Sequence, residues 1–214
     1  MSLEVPPYWW CGEGPYFNRP PRHVICCTAH AVDLPLAERT MGAAVHEAGH
    51  TITGLLLGVH IPSVGIDITE RQRDCGSSAD VSGDADAVSF AGTHLRDALT
   101  VLAAGTSAEQ RWLRETGHWS EQRAFHAERG GMDDRDRAQS LVTEHVGHPL
   151  HFGTSALGDV DDLDYWGYWV RADEVMGPVW GRVRALAEQV VQCGRISGDE
   201  AAELCGLVNP DPAA

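Results

Sequence analysis

The segment His46-Glu47-Ala48-Gly49-His50 lies within a stretch whose apolar residues recur at helical spacing, at Val45, Ala48, Ile52, Leu55 and Leu56. Two imidazoles and a carboxylate in so apolar a helix cost free energy unless they are paired or bound to a cation. A helix places residues i and i+4 on one face, so His46 and His50 point the same way, one turn apart, with Glu47 beside them. Such a pair binds one Zn²⁺, and the neighbouring glutamate is placed to act as general base for water activated by the metal. The fold must therefore bring a third ligand to that helix face and leave one coordination position open.

The remaining pattern predicts helices packed around this one. A first helix is expected over residues 34–58, with Asp33 as N-cap, Pro35 in the first turn and Gly58 as the stop. Residues 60–69 alternate Val64, Ile66 and Ile68 with smaller or polar side chains, which predicts one short strand, followed by a surface loop over 70–88. Leu95, Leu99, Leu102, Ala103 and Trp112 predict a second helix over 93–115, and a polar stretch over 117–131 separates it from a third over 133–145. Residues 149–172 read as a loop, in which the acidic run from Asp159 to Asp164 abuts Tyr165, Trp166, Tyr168 and Trp169. A fourth helix covers 174–193, with Gly177-Pro178 near its start, and Ser197 with Glu200 predicts a capping box for a short helix ending at Cys205. The expected fold class is mainly α, a zincin-like helical bundle with one short strand or small β element. The expected organisation is an irregular Pro- and aromatic-rich arm over 1–32, one domain over 33–208 and a tail over 209–214.

Sixteen basic residues, all arginine, against 31 acidic ones give a net charge of −15. That balance argues against a basic face for nucleic acid or for an anionic membrane. The longest apolar stretch, 52–61, falls well short of the roughly 20 residues of a membrane span, and no basic region followed by an apolar core opens the chain. Six cysteines include no CxxC pair, and Cys26 and Cys27 are adjacent, so a reduced, cytoplasmic setting is expected rather than a disulfide framework.

Several residues compete for the third ligand. A histidine six residues after His50 would define one class of zinc site, but Leu56 stands there. Glu70, twenty residues after His50, has suitable spacing but follows a strand and precedes a Gly/Ser-rich loop instead of lying on a helix. Cys26 or Cys27 would offer a thiolate. Asp134, with Asp133 as its neighbour, falls in the first turn of the third helix, where an acid is also favoured by the helix dipole.

The order of blocks resembles the peptidase domain of the FtsH family of ATP-dependent zinc metalloproteases. His46 to Leu57, H-E-A-G-H-T-I-T-G-L-L-L, is similar to that family's H-E-A-G-H-A helix, and Val64 to Ile68 resembles its edge strand. Leu102 to Glu109 resembles its L-G-G-R-A-A-E block, with Thr106 at the usual Arg position. Gly130 to Ala138 resembles its G-A-x-N-D-L-x-x-A-T block, and Gly194 to Leu204 resembles its last helices. The resemblance covers roughly residues 37–205 and implies that Asp134 is the third zinc ligand beside His46 and His50. A lysine-free chain has no G-x-x-x-x-G-K-[ST] loop, so the expectation is the peptidase part without the ATPase.

The implied activity is zinc-dependent hydrolysis of peptides or unstructured protein segments, with Glu47 as general base. Val64, Gly65 and Ile66 are the candidate strand to which an extended substrate adds, and Glu109 is a candidate hydrogen-bond partner of a ligand histidine. The expected partners are a peptide or protein substrate, with a separate ATPase or a homo-oligomer as further candidates. The alternatives are a zinc amidohydrolase acting on a small molecule in a biosynthetic pathway and a non-catalytic peptidase-like scaffold or regulator.

Overall fold

The computed structural model describes residues 9–11, 14–16, 33–73, 76–84, 89–152 and 163–212. The H-E-A-G-H segment occupies the middle of helix α1 (Leu36–Leu56). Its N-cap is Pro35 and not Asp33, which adopts φ 47° and turns the chain ahead of the helix. Gly58, at φ 75°, reverses the chain after α1, and the Val59 amide bonds back to the Gly54 carbonyl at 2.8 Å. Ala44, Val45, Ala48 and Ile52 are fully buried.

Helix α2 (Leu95–Glu115) crosses α1 closely because small residues meet at the crossing. A Cβ built on Gly49 would stand 2.7 Å from the Ala108 Cβ and 2.8 Å from the Ala104 carbonyl oxygen. Only glycine lets the two backbones approach this far, and the approach is what brings α2 residues against the histidines of α1.

The strand expected over 60–69 is longer, and the loop expected over 70–88 is largely its partner. β3 (Ser63–Arg73) pairs antiparallel with β4 (Gly76–Asp84), while β5 (Arg195–Ser197) pairs antiparallel with the start of β3. The sheet order is therefore β4-β3-β5. β4 reads G-S-S-A-D-V-S-G-D and carries one large apolar residue, Val81, which explains why alternation failed to reveal it. In the arm, β1 (Trp9–Cys11) and β2 (Gly14–Tyr16) pair antiparallel where irregular structure was expected.

The polar stretch over 117–131 contains helix α3 (Glu121–Gly130), started by the Ser120 hydroxyl accepting from the Arg123 amide at 3.2 Å. Helix α4 (Met132–Val146) follows after Gly131. Helix α5 (Tyr165–Met176) begins within the expected loop, with the Asp164 carboxylate accepting from the Trp166 amide at 3.0 Å. The rest of the acidic run, Asp159 to Asp162, lies outside the described residues. Gly177-Pro178 breaks the expected fourth helix, since α5 ends there and α6 (Trp180–Cys193) starts after a turn of 3₁₀ helix. The Ser197–Glu200 capping box is formed and opens α7 (Gly198–Cys205).

After α7 the chain is held at Asn209. Asn209 accepts from the Ile61 amide at 2.9 Å and donates to the Ile61 carbonyl at 2.9 Å and to Asp199 at 2.8 Å. The fold is mainly helical with one small antiparallel sheet, and its main core joins α1, α2 and α6 beneath β3. Among the described residues, no helix is long and apolar enough to cross a membrane.

Candidate metal centre

His46 and His50 are 7% and 5% exposed, and their Nε2 atoms converge on one oxygen, Asp134 Oδ2, at 3.2 and 3.1 Å. Helical spacing accounts for the two imidazoles, while Asp134 arrives from the first turn of α4, where the partial positive charge of the helix start favours a carboxylate. One donor atom from each of the three residues falls within 4.8 Å of the others.

The outer nitrogens fix how the rings present themselves. His50 Nδ1 donates to the Val101 carbonyl at 2.7 Å, and His46 Nδ1 donates to Glu109 Oε2 at 3.3 Å. A carbonyl and a carboxylate only accept, so both Nδ1 atoms carry hydrogen, and each ring, once it gives up its Nε2 proton, turns an Nε2 lone pair inward. Glu109 lies on the same face of α2 as Gly105, one turn earlier, and Gly105 clears the space between the rings. A Cβ at residue 105 would overlap both Nε2 atoms. Gly131 clears the side next to α4, where a Cβ would overlap the Thr106 hydroxyl and stand 3.6 Å from Asp134 Oδ2.

Charge coupling within the triad is strong. Burial lowers the pKa of His46, but the hydrogen bonds to Asp134 and Glu109 and the charges of Glu47 and Asp134 outweigh it, leaving the imidazole well above its ordinary value. His50 is raised too, since the Asp134 charge and hydrogen bond overcome burial and the repulsion of His46. Burial pushes the Asp134 carboxyl up, yet the two histidines hold it well below the usual carboxylate range. The site is thus an anion facing two protonatable nitrogens, and a cation placed among them replaces the protons. Two imidazole nitrogens and one carboxylate oxygen, with room made by two glycines, fit a divalent ion such as zinc that keeps one position open.

Glu47 is 8% exposed and lies against β4, where a Cβ at Gly83 would overlap its carboxylate. A cleft of about 470 Å³ runs past His46, Glu47, His50 and Asp134 and is bordered by Asp80 to Gly83 of β4. The strand beside the site is therefore β4 and not the expected Val64, Gly65 and Ile66. Those three are buried in the central strand, where Val64 pairs with Ile196, Gly65 with both Arg195 and Asp84, and Ile66 with Gly83, so each is already paired within the sheet. Among the described residues β4 has a single strand neighbour.

The other third-ligand candidates stand apart from the triad. Glu70 is exposed on the outer half of β3, and Asp133 lines the cleft without joining the converging donors. Cys26 and Cys27 lie outside the described residues. Sequence reasoning missed Gly83, Gly105, Gly131 and the Val101 carbonyl, because glycine reads locally as a breaker and a main-chain acceptor carries no signature. In comparisons with known proteins, no family model and no curated protein matches this chain.

Proposed function

We propose that the chain is a zinc-dependent metallopeptidase of the kind its sequence resembles, the peptidase part of FtsH-family proteases. The observation that carries this reading is the convergence of His46 Nε2 and His50 Nε2 on Asp134 Oδ2, with Glu47 lining the same cleft. His46, His50 and Asp134 would hold the ion. Bound there, zinc supplies Lewis acidity to a scissile carbonyl and a water of lowered pKa.

The protein's own groups do the rest. Glu47 takes the proton of the attacking water and returns it to the leaving amine. Glu109 and the Val101 carbonyl hold the imidazoles in the ligating tautomer. An extended peptide adds to β4 through main-chain hydrogen bonds, which gives recognition with little dependence on sequence. A cleft running along a strand with one open side supports a peptide over a small molecule enclosed in a pocket. Cys193 and Cys205, the free thiols among the described residues, support a cytoplasmic setting.

The test is metal analysis with a peptidase assay on the parent chain, Glu47→Gln and Asp134→Ala. Glu47→Gln is expected to keep zinc and lose turnover by roughly 10²- to 10⁴-fold, whereas Asp134→Ala loses zinc. Full activity in Glu47→Gln overturns the mechanism, and unchanged zinc in Asp134→Ala moves the third ligand elsewhere.

A further inference from the structure

The cleft extends from the metal centre toward the start of α1, where Glu38, Arg39, Asp80 and Arg123 line it, and the two arginines are not used by the chemistry above. Arg39 lies seven residues before His46, about 10 Å along the helix. Its Nη1 donates to the Ala79 carbonyl of β4 at 2.6 Å, but its buried Nε has no hydrogen-bond partner, and no carboxylate of the described residues pairs with it. In a chain of net charge −15, a half-buried arginine without a counter-ion among the described residues stands out. His126 of α3 lines the same cleft, and its buried Nε2 is also without a partner. Arg123 Nη2 donates to the Asp33 carbonyl at 3.0 Å, which ties α3 to the chain entering α1 and closes this wing.

The wing also has a direction. Arg39 touches Ala79, and Glu47 touches Gly83, so α1 and β4 run alongside each other in the same sense. A peptide that continues the antiparallel sheet along β4 runs from Gly83 toward Ala79, and its C-terminal part approaches Arg39. At about 3.3 Å per residue, the span from His46 to Arg39 is filled by about three residues after the scissile bond.

We infer that the α1-start wing is a carboxylate subsite: Arg39, assisted by His126, takes a peptide carboxylate about three residues beyond the cleaved bond. The inference rests on the peptidase reading above and deepens it by assigning a substrate class. The carboxylate is either the C-terminus of a short product or an acidic side chain.

The test uses the zinc-loaded full chain and matched peptides. One pair ends three residues after the scissile bond as a free acid or as an amide, and a longer pair carries Glu or Gln at that position. The parent chain is expected to favour the carboxylate member of at least one pair in kcat/KM by about tenfold or more, the order of a charge-assisted hydrogen bond. In Arg39→Gln that ratio collapses toward one, and Arg39→Lys restores part of it. A preference confined to the first pair assigns the terminal carboxylate, and one confined to the second assigns the side chain. Equal rates within both pairs, or a ratio that survives Arg39→Gln, overturns the inference. If no peptide is cleaved at all, the peptidase reading fails separately. The subsite is then judged by fluorescence anisotropy of the labelled peptides on zinc-loaded Glu47→Gln, with and without Arg39→Gln. Equal affinity for acid and amide there, and for Glu and Gln, overturns it.

Discussion

His46 Nδ1 sits 3.3 Å from Glu109 Oε2, so the candidate ligand on α1 is oriented by a carboxylate on α2, 63 residues later in the chain. Glu109 touches no ligand position itself; it sets the tautomer and angle of the ring that does. Glu109→Ala is therefore expected to weaken zinc affinity by roughly ten- to a hundredfold, with the fold retained because the side chain is partly exposed. Competition against a chromophoric chelator measures the change, and an unaltered affinity would show that His46 needs no such support.

Gly49 and Gly105 both allow close approach between α1 and α2, but a methyl group meets different things at each. At residue 49 it strikes the Ala104 carbonyl and the Ala108 side chain, so Gly49→Ala should lower stability by about 1 to 3 kcal/mol while the folded fraction still takes up one zinc. At residue 105 it occupies the space between the two Nε2 atoms, so Gly105→Ala should abolish zinc uptake. Denaturant melts and metal analysis on the pair separate the two effects. Equal zinc content in both variants would contradict this division.

These glycines show where sequence reasoning stops. The two imidazoles, Glu47 and the helix that carries them were legible because one local pattern fixes their relative geometry. Asp134 was reachable only through the resemblance, since Glu70 and Asp133 fit local spacing as well. Whether two helices touch at Gly49 or Gly105 depends on tertiary contacts that leave no local trace. β4 was hidden for another reason, as a strand with polar residues on both faces lacks the alternation that marks a half-buried one. The same absence of an apolar stripe concealed α3.

Removing the metal exposes the triad's own titration. In the metal-free chain, His46 and His50 have folded pKa values above the unfolded value of about 6.5, so their stabilising effect is full below pH ~6.5 and is lost as pH rises through the folded values. Asp134 has a depressed folded pKa, so its contribution is full above pH ~3.9 and is lost as pH falls toward the folded value. The two windows overlap between about pH 4 and 6.5. The chelator-treated protein should melt higher in that range than at pH 8, and Asp134→Asn should remove most of the difference. A metal-free protein that is most stable at pH 8 would contradict this coupling.

Zinc uptake and proton release follow from the same arrangement. Because His46 stays protonated above its ordinary pKa, zinc entering at neutral pH must displace protons held between the imidazoles and Asp134. Affinity should therefore fall as pH drops through the raised histidine value. Calorimetric titrations in buffers of different ionisation enthalpy should show protons leaving with each zinc bound, and binding heats independent of the buffer would sink the prediction.

Gly83 separates the base from the ligands. A methyl group there overlaps the Glu47 carboxylate, while the residues overlapped from Gly105, His46 and His50, belong to the proposed metal site. Gly83→Ala is thus expected to displace Glu47 and leave His46, His50 and Asp134 in place. Zinc content should be that of the parent chain, and kcat should drop by roughly 10²-fold, the low end of what a positioned general base supplies. Gly83 also pairs with Ile66 in the sheet, so the melting temperature should be measured beside the rate. A variant that binds zinc, melts with the parent and turns over at the parent's rate would show that β4 leaves Glu47 free to do its work from another position.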